Sequence, residues 1–146
     1  MKFVTDSAEE TIALGEKIGK LLHGGEVIAY RGDLGAGKTT ITRGISIGMG
    51  LGDEVTSPTF ALVNEYRGEK LTLYHFDMYR ITSAEDLEAA GFFDFMGEDS
   101  VIAAEWSENI EDELPEGTIF IELRRVSDDV REITITGDDR FEAIGN

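Results

Sequence analysis

The sequence predicts an α/β fold: a mixed parallel and antiparallel sheet flanked by helices. Three observations predict it. The apolar run Val27-Ile28-Ala29-Tyr30 reads as a buried strand, and it is followed by the glycine-rich Gly32-Asp33-Leu34-Gly35-Ala36-Gly37-Lys38-Thr39 and then by Thr40 to Ile47, which can continue as a helix. A second continuous apolar run, Val101-Ile102-Ala103-Ala104, suits a central strand. Finally, Thr118 to Arg125 and Val130 to Thr136 alternate apolar and polar residues, as two antiparallel strands joined through Ser127-Asp128-Asp129 would.

The remaining elements follow in chain order. Ser7-Ala8-Glu9-Glu10 has capping-box spacing, and Thr11, Leu14, Ile18 and Leu22 recur at helical intervals, so an amphipathic helix precedes the first apolar run and ends at His23-Gly24-Gly25. Gly48, Gly50 and Gly52 form a flexible exit from the loop helix into Thr56-Ser57-Pro58-Thr59-Phe60. Phe60 to Tyr66 and Leu71 to Asp77 favour strand, with Arg67-Gly68-Glu69-Lys70 as the hairpin connection. Ser83-Ala84-Glu85-Asp86 caps a short helix that ends near Gly91. Phe92, Phe93, Phe95 and Met96 then form an apolar cluster expected in the core.

Composition narrows the function. The 146 residues suit one domain, 1–146, with a substantial core and no room for a second substrate domain. The absence of cysteine excludes disulfides, thiolate metal sites and cysteine nucleophiles. No apolar stretch is long enough to span a membrane, and Asp6 interrupts any signal peptide, so a cytoplasmic location is expected. Thirty acidic against thirteen basic residues give a net charge of −17, which opposes unaided binding to a phosphate backbone and so disfavours a nucleic-acid grip.

The segment Gly32 to Thr39 matches the phosphate-binding pattern G-x-x-x-x-G-K-[ST]. Its glycines let successive backbone N–H groups turn toward phosphate oxygens, Lys38 reaches the outer phosphates, and the Thr39 hydroxyl is placed for magnesium. Such a loop needs an acid at the end of a neighbouring strand. Glu105 closes the run 101–104 and Asp77 closes the segment 71–76, and spacing does not decide which of the two holds the metal. Alternation puts His75 on the same face as Asp77, so His75 could orient that acid or fill space. Arg80 could meet phosphate, a carboxylate or a partner protein, and Trp106 could cover the base or pack beneath the site.

Read together, these motifs resemble the TsaE family, also called YjeE-like, the small ATPases of the bacterial machinery that makes threonylcarbamoyladenosine in tRNA. The resemblance rests on Glu10-Thr11-Ile12-Ala13-Leu14-Gly15, Gly32 to Thr40, Thr56 to Phe60, Tyr74-His75-Phe76-Asp77-Met78-Tyr79-Arg80, Glu85-Asp86-Leu87 with Gly91, and Glu105-Trp106. From Thr118 onward no motif contributes. The resemblance implies a P-loop NTPase fold, an ATP/ADP site bound by Gly32, Asp33, Leu34, Gly35, Ala36, Gly37, Lys38, Thr39 and Thr40, and Mg2+ held through Thr39 and Glu105 with Asp77 near the attacking water or the metal. It also implies hydroxyl roles for Ser57 and Thr59 beside the γ-phosphate, a nucleotide contact for Thr11, and Trp106 at the nucleotide. The implied partners are the TsaD and TsaB proteins.

Two other functions share the loop. A small-molecule phosphotransferase needs an acceptor pocket and an arginine-bearing lid, for which the stretch from Asp77 to Glu105 offers little room or positive charge. A nucleotide-dependent binding switch would bind ATP and barely hydrolyse it. Guanine specificity lacks support, because Asn109-Ile110-Glu111-Asp112 has Ile where a guanine-reading motif has Lys.

Overall fold

The structure is a computed structural model that describes residues 1–32, 35–51 and 63–145. Seven strands form one sheet: β1 (Lys2–Thr5), β2 (Val27–Arg31), β3 (Val63–Arg67), β4 (Thr72–Asp77), β5 (Ser100–Glu105), β6 (Ile119–Arg125) and β7 (Arg131–Thr136). Their order across the sheet is β1-β7-β6-β2-β5-β4-β3. The four inner strands β6, β2, β5 and β4 run parallel, whereas β7 on β6, β1 on β7 and β3 on β4 are antiparallel. The mixed sheet expected from the sequence is therefore present. Its apolar runs occupy the centre because β2 and β5 are covered on both faces.

Helix α1 (Ala8–Lys20) begins where expected, with the Ser7 hydroxyl accepting from Glu10 N and Glu10 reaching back to Asp6 N. Helix α2 (Lys38–Gly48) follows the loop, and α3 (Ala84–Ala89) is capped by Ser83. One core lies between the sheet and the α1–α2 pair and includes Leu14, Ile18, Ile28, Tyr30, Ile41 and Ile45. On the opposite face, Phe76, Leu87, Phe92, Ile102 and Ala104 form the second core, under α3 and the 3-10 turn Phe92–Phe95. Among the described residues, no helix is long and apolar enough to cross a membrane.

Three details differ from the expectation. Strand β1 has no counterpart in the sequence reading, and it extends the sheet by pairing Lys2–Thr5 with β7. The aromatic cluster is only half core: Phe92 is fully buried, but Phe93 is 48% and Met96 36% exposed, because the tight 3-10 turn presents successive residues to different sides. Gly48 belongs to α2 rather than to a flexible exit and lies against the Glu16 backbone of α1. Thr56 to Phe60 lies outside the described residues, as do Asp33 and Leu34.

Candidate nucleotide-binding site

The strand order builds the site. Strand β2 has parallel neighbours on both sides, so the loop leaving its C-terminal end opens beside the ends of β5 and β4, where ligands of open α/β sheets bind. Parallel register brings Asp77, the last residue of β4, directly opposite Glu105, the last of β5. Both acids therefore face the loop that carries Lys38. A cavity of about 560 Å3 lies there, bounded by Lys38, Thr39, Asp77, Glu105, Trp106 and the α1 start.

The N-terminus of α2 is prepared for an anion. Gly37 caps it at φ 107°, a left-handed conformation that side chains rarely adopt. Its first turn holds no acidic residue, whereas Glu9 and Glu10 occupy the first turn of α1 and Glu85 and Asp86 that of α3. The positive end of the α2 dipole is thus left for a ligand. Gly35, Ala36 and Thr40 sit around the same turn, and Lys38 Nζ donates to the Gly32 carbonyl at 2.9 Å.

Glu105 is buried, and Nε2 of His75 lies 2.7 Å from its Oε2. The sequence reading paired His75 with Asp77 by face; the structure brings it to Glu105 on the neighbouring strand instead. Asp77 accepts from the Tyr79 N–H at 3.0 Å. The Tyr30 hydroxyl stands 2.7 Å from that of Thr42, which is itself 2.7 Å from the Lys38 carbonyl. Burial pushes the Tyr30 phenol well above its ordinary value, a rise that the Thr42 contact opposes and the nearby Glu105 charge reinforces.

Trp106 turns the chain immediately after β5 with φ 61°, a strained backbone conformation for a bulky residue. Its ring takes Lys38 Nζ at 4.1 Å from the centroid and meets Tyr79 edge-on at 5.7 Å. The position that sequence left open, over the base or beneath the site, is in this structure against the loop lysine. Thr11 borders the cavity, yet it is 2% exposed and its hydroxyl is engaged at 2.7 Å by Thr5 and at 3.2 Å by the Ser7 carbonyl. Ser57 and Thr59 lie outside the described residues.

Sequence reasoning missed the contribution of the β6–β7 hairpin. Asp128, Asp129 and Arg131 border the cavity, and Arg131 Nη2 donates to the Gly35 carbonyl at 3.3 Å, across 96 residues of chain. Arg131 Nη1 is held by the carbonyls of Ser127, Asp128 and Val130 at 2.8 to 3.1 Å. Alternation predicts the β6–β7 hairpin, but no local pattern marks this arginine, because only the pairing of β6 beside β2 carries the hairpin to the loop.

Magnesium prefers oxygen donors, keeps several waters, and takes only one or two protein carboxylates when phosphates supply the rest. Thr39, Asp77 and Glu105 fit that demand. Among the described residues, no group of three or more His, Asp or Glu side chains is placed to hold a metal ion.

Comparison with known proteins agrees with this architecture. The family model for threonylcarbamoyl adenosine biosynthesis protein TsaE matches residues 5–133. The tRNA threonylcarbamoyladenosine biosynthesis protein TsaE of Treponema pallidum is 43% identical over 135 residues, covering 92% of this chain and 99% of the relative. That of Bacillus subtilis is 40% identical over 147 residues, covering 100% and 87%. A crystal structure of Bacillus subtilis YdiB superposes with a TM-score of 0.74 at 36% identity, covering 99% of this chain and 90% of that one. With a family match running from β1 into β7 and the loop, its acids and the sheet order all in register with a P-loop fold, the chain belongs to the TsaE family.

Proposed function

We propose that this chain is an ATP-binding and ATP-hydrolysing subunit of the cytoplasmic machinery that forms the threonylcarbamoyl modification on adenosine of tRNA. It acts through TsaD-like and TsaB-like proteins and does not transfer the group itself. The observation that carries this reading is the meeting of Lys38, at the N-terminus of α2, with the carboxylates of Asp77 and Glu105 at the ends of two parallel strands. The relatives' names supply the pathway.

In this reading the α2 N-terminus and Lys38 bind the phosphates, and Lys38 exchanges the Gly32 carbonyl and the Trp106 face for a phosphate oxygen. Thr39 and Glu105 hold Mg2+, which when bound neutralises charge developing on the transferred phosphoryl group. Asp77 orients the attacking water. Thr11 and Trp106 border the nucleotide, Trp106 on the side of Lys38, and Ser57 and Thr59 act beside the γ-phosphate. A charge of −17 keeps tRNA from binding the isolated chain, so the effect on tRNA passes through the partners.

Phosphate release measured with and without the two partner proteins tests the proposal. Slow release by the chain alone and faster release with both partners is expected. Rapid release indifferent to the partners overturns the subunit role, and nucleotide binding without release under either condition supports the binding switch instead. Transfer of phosphate to an added small acceptor would support the phosphotransferase.

A further inference from the structure

We propose that His75 is the positioning residue of Glu105, fixing the orientation in which that carboxylate receives a divalent cation beside the loop; this rests on the reading of Glu105 as a magnesium-side acid. Strand alternation points Leu73, His75 and Asp77 toward the α2 side of the sheet. Parallel register sets His75 opposite Ala103 and Asp77 opposite Glu105. The imidazole therefore meets Glu105 diagonally, and the small side chain of Ala103 leaves the space through which it does so. On the other flank of β5, β2 contributes Tyr30, buried like His75.

This is an expensive place for a carboxylate. Glu105 has 8% of its side chain exposed and His75 none, so water supplies little of the lost solvation. The Nε2 to Oε2 distance of 2.7 Å is short enough for a strong bond, yet the ring is out of line, and neither His75 nitrogen has a hydrogen-bond partner among the described residues. A buried polar ring left in that state calls for a functional explanation. Oε2 lies against the imidazole and Glu105 borders the cavity, so the way the carboxylate is turned sets what it presents to a ligand there. Holding a cation would require a fixed carboxylate orientation, and a small rotation about the carboxylate's own axis would bring Oε2 into line with a ring N–H. Groups that orient a metal-bound carboxylate in this way commonly change metal affinity when removed.

The test compares two buried amides. His75→Gln carries an amide nitrogen near the position of the imidazole Nε2, whereas His75→Asn is too short to reach Glu105. ATP binding is followed through the single tryptophan, Trp106, as magnesium is titrated, and again in excess chelator. For the Asn variant the magnesium concentration at half-effect should rise by roughly tenfold, the lower end for loss of a ligand-orienting partner, with chelated binding unchanged. The Gln variant should recover most of that loss. In a Glu105→Gln background, His75→Asn should add nothing further, because the partner it orients is gone.

If Asn and Gln variants share the wild-type magnesium dependence while Glu105→Gln loses it, His75 has no positioning role and the proposal alone fails. If Glu105→Gln itself leaves the magnesium dependence intact, the assignment of Glu105 fails and this proposal with it. Equal loss of binding in chelator and in magnesium would mark His75 as purely structural, which also overturns the proposal. Thermal melting of each variant identifies the folded protein in which these readings are made.

Discussion

The ammonium of Lys38 rests 4.1 Å from the centroid of the Trp106 ring while donating to the Gly32 carbonyl. The loop lysine is thus ordered by an aromatic face and a backbone oxygen, and both partners are exchangeable for phosphate. Lys38→Ala should weaken ATP affinity by roughly 100-fold, near the upper end for a charged hydrogen bond. Stability should fall by about 1–2 kcal/mol, since Lys38 is buried and a desolvated cation over an indole contributes up to about 2 kcal/mol. Calorimetric titration with parallel thermal melting checks both, and unchanged affinity in a folded variant removes the phosphate-loop assignment.

Arg131 offers the cavity a positive charge, whereas the stretch between Asp77 and Glu105 carries a single basic residue, the exposed Arg80. Three carbonyls of the hairpin turn and the Gly35 carbonyl fix its guanidinium, so little rotamer freedom remains to be lost when phosphate arrives. Arg131→Ala should lower partner-stimulated turnover by roughly 100-fold, the scale for removing one preorganised donor to transition-state charge. Arg131→Lys should not recover it, because a single ammonium cannot serve the turn and the ligand together. Wild-type turnover in Arg131→Ala would confine the side chain to holding the turn.

The contrast between Lys38 and Arg131 shows what the sequence makes legible. Lys38 is announced by glycines and a hydroxyl within eight residues, because the loop's chemistry is local. Arg131 depends on sheet order: alternation predicts the β6–β7 hairpin, but nothing around it in sequence specifies that β6 lies beside β2, which brings the hairpin to the loop. His75 is intermediate. Alternation correctly put it on the face shared with Asp77, but its contact with Glu105 follows from the β4–β5 register and from the small Ala103 between them. Strand β1 escaped notice because Lys2–Thr5 is four residues long and too short to show a period.

Gly44 decides how closely α1 can approach α2. A Cβ on Gly44 would stand 2.1 Å from the Ile12 carbonyl oxygen and 2.8 Å from the Gly15 Cα, both backbone atoms that cannot swing away. Gly44→Ala should therefore destabilise the chain by roughly 1–3 kcal/mol, as overpacking of a tight interior does, despite the better helix propensity of alanine. Denaturant unfolding measures the loss. ATP affinity should fall as well, since Ser7 and Thr11 on the displaced helix border the cavity. A variant as stable as wild type would show that the two helices separate without penalty.

The buried Glu26 ties three segments together and should make stability fall in acid. Burial raises its pKa, but the N–H groups of His23 and Gly24 at 2.8 and 2.7 Å and the Arg140 guanidinium at 2.5 Å lower it further, so the net shift is below the ordinary 4.5. Because the folded value is depressed, the unfolded chain takes up the proton first as pH falls. The contribution of Glu26 is therefore complete above about pH 4.5, diminishes below it, and is lost once pH passes the folded value. Glu26→Gln keeps the shape, loses the charge, and presents an amide N–H where an acceptor is needed. It should cost roughly 1–3 kcal/mol at pH 7, the range for leaving buried donors without their acceptor. Unfolding curves for the two proteins should converge as pH is lowered from 5 toward 3, which lies on the acid side of the ordinary carboxylate value. A difference independent of pH across that interval would show that the Glu26 charge contributes nothing to holding the His23-Gly24 turn against Arg140.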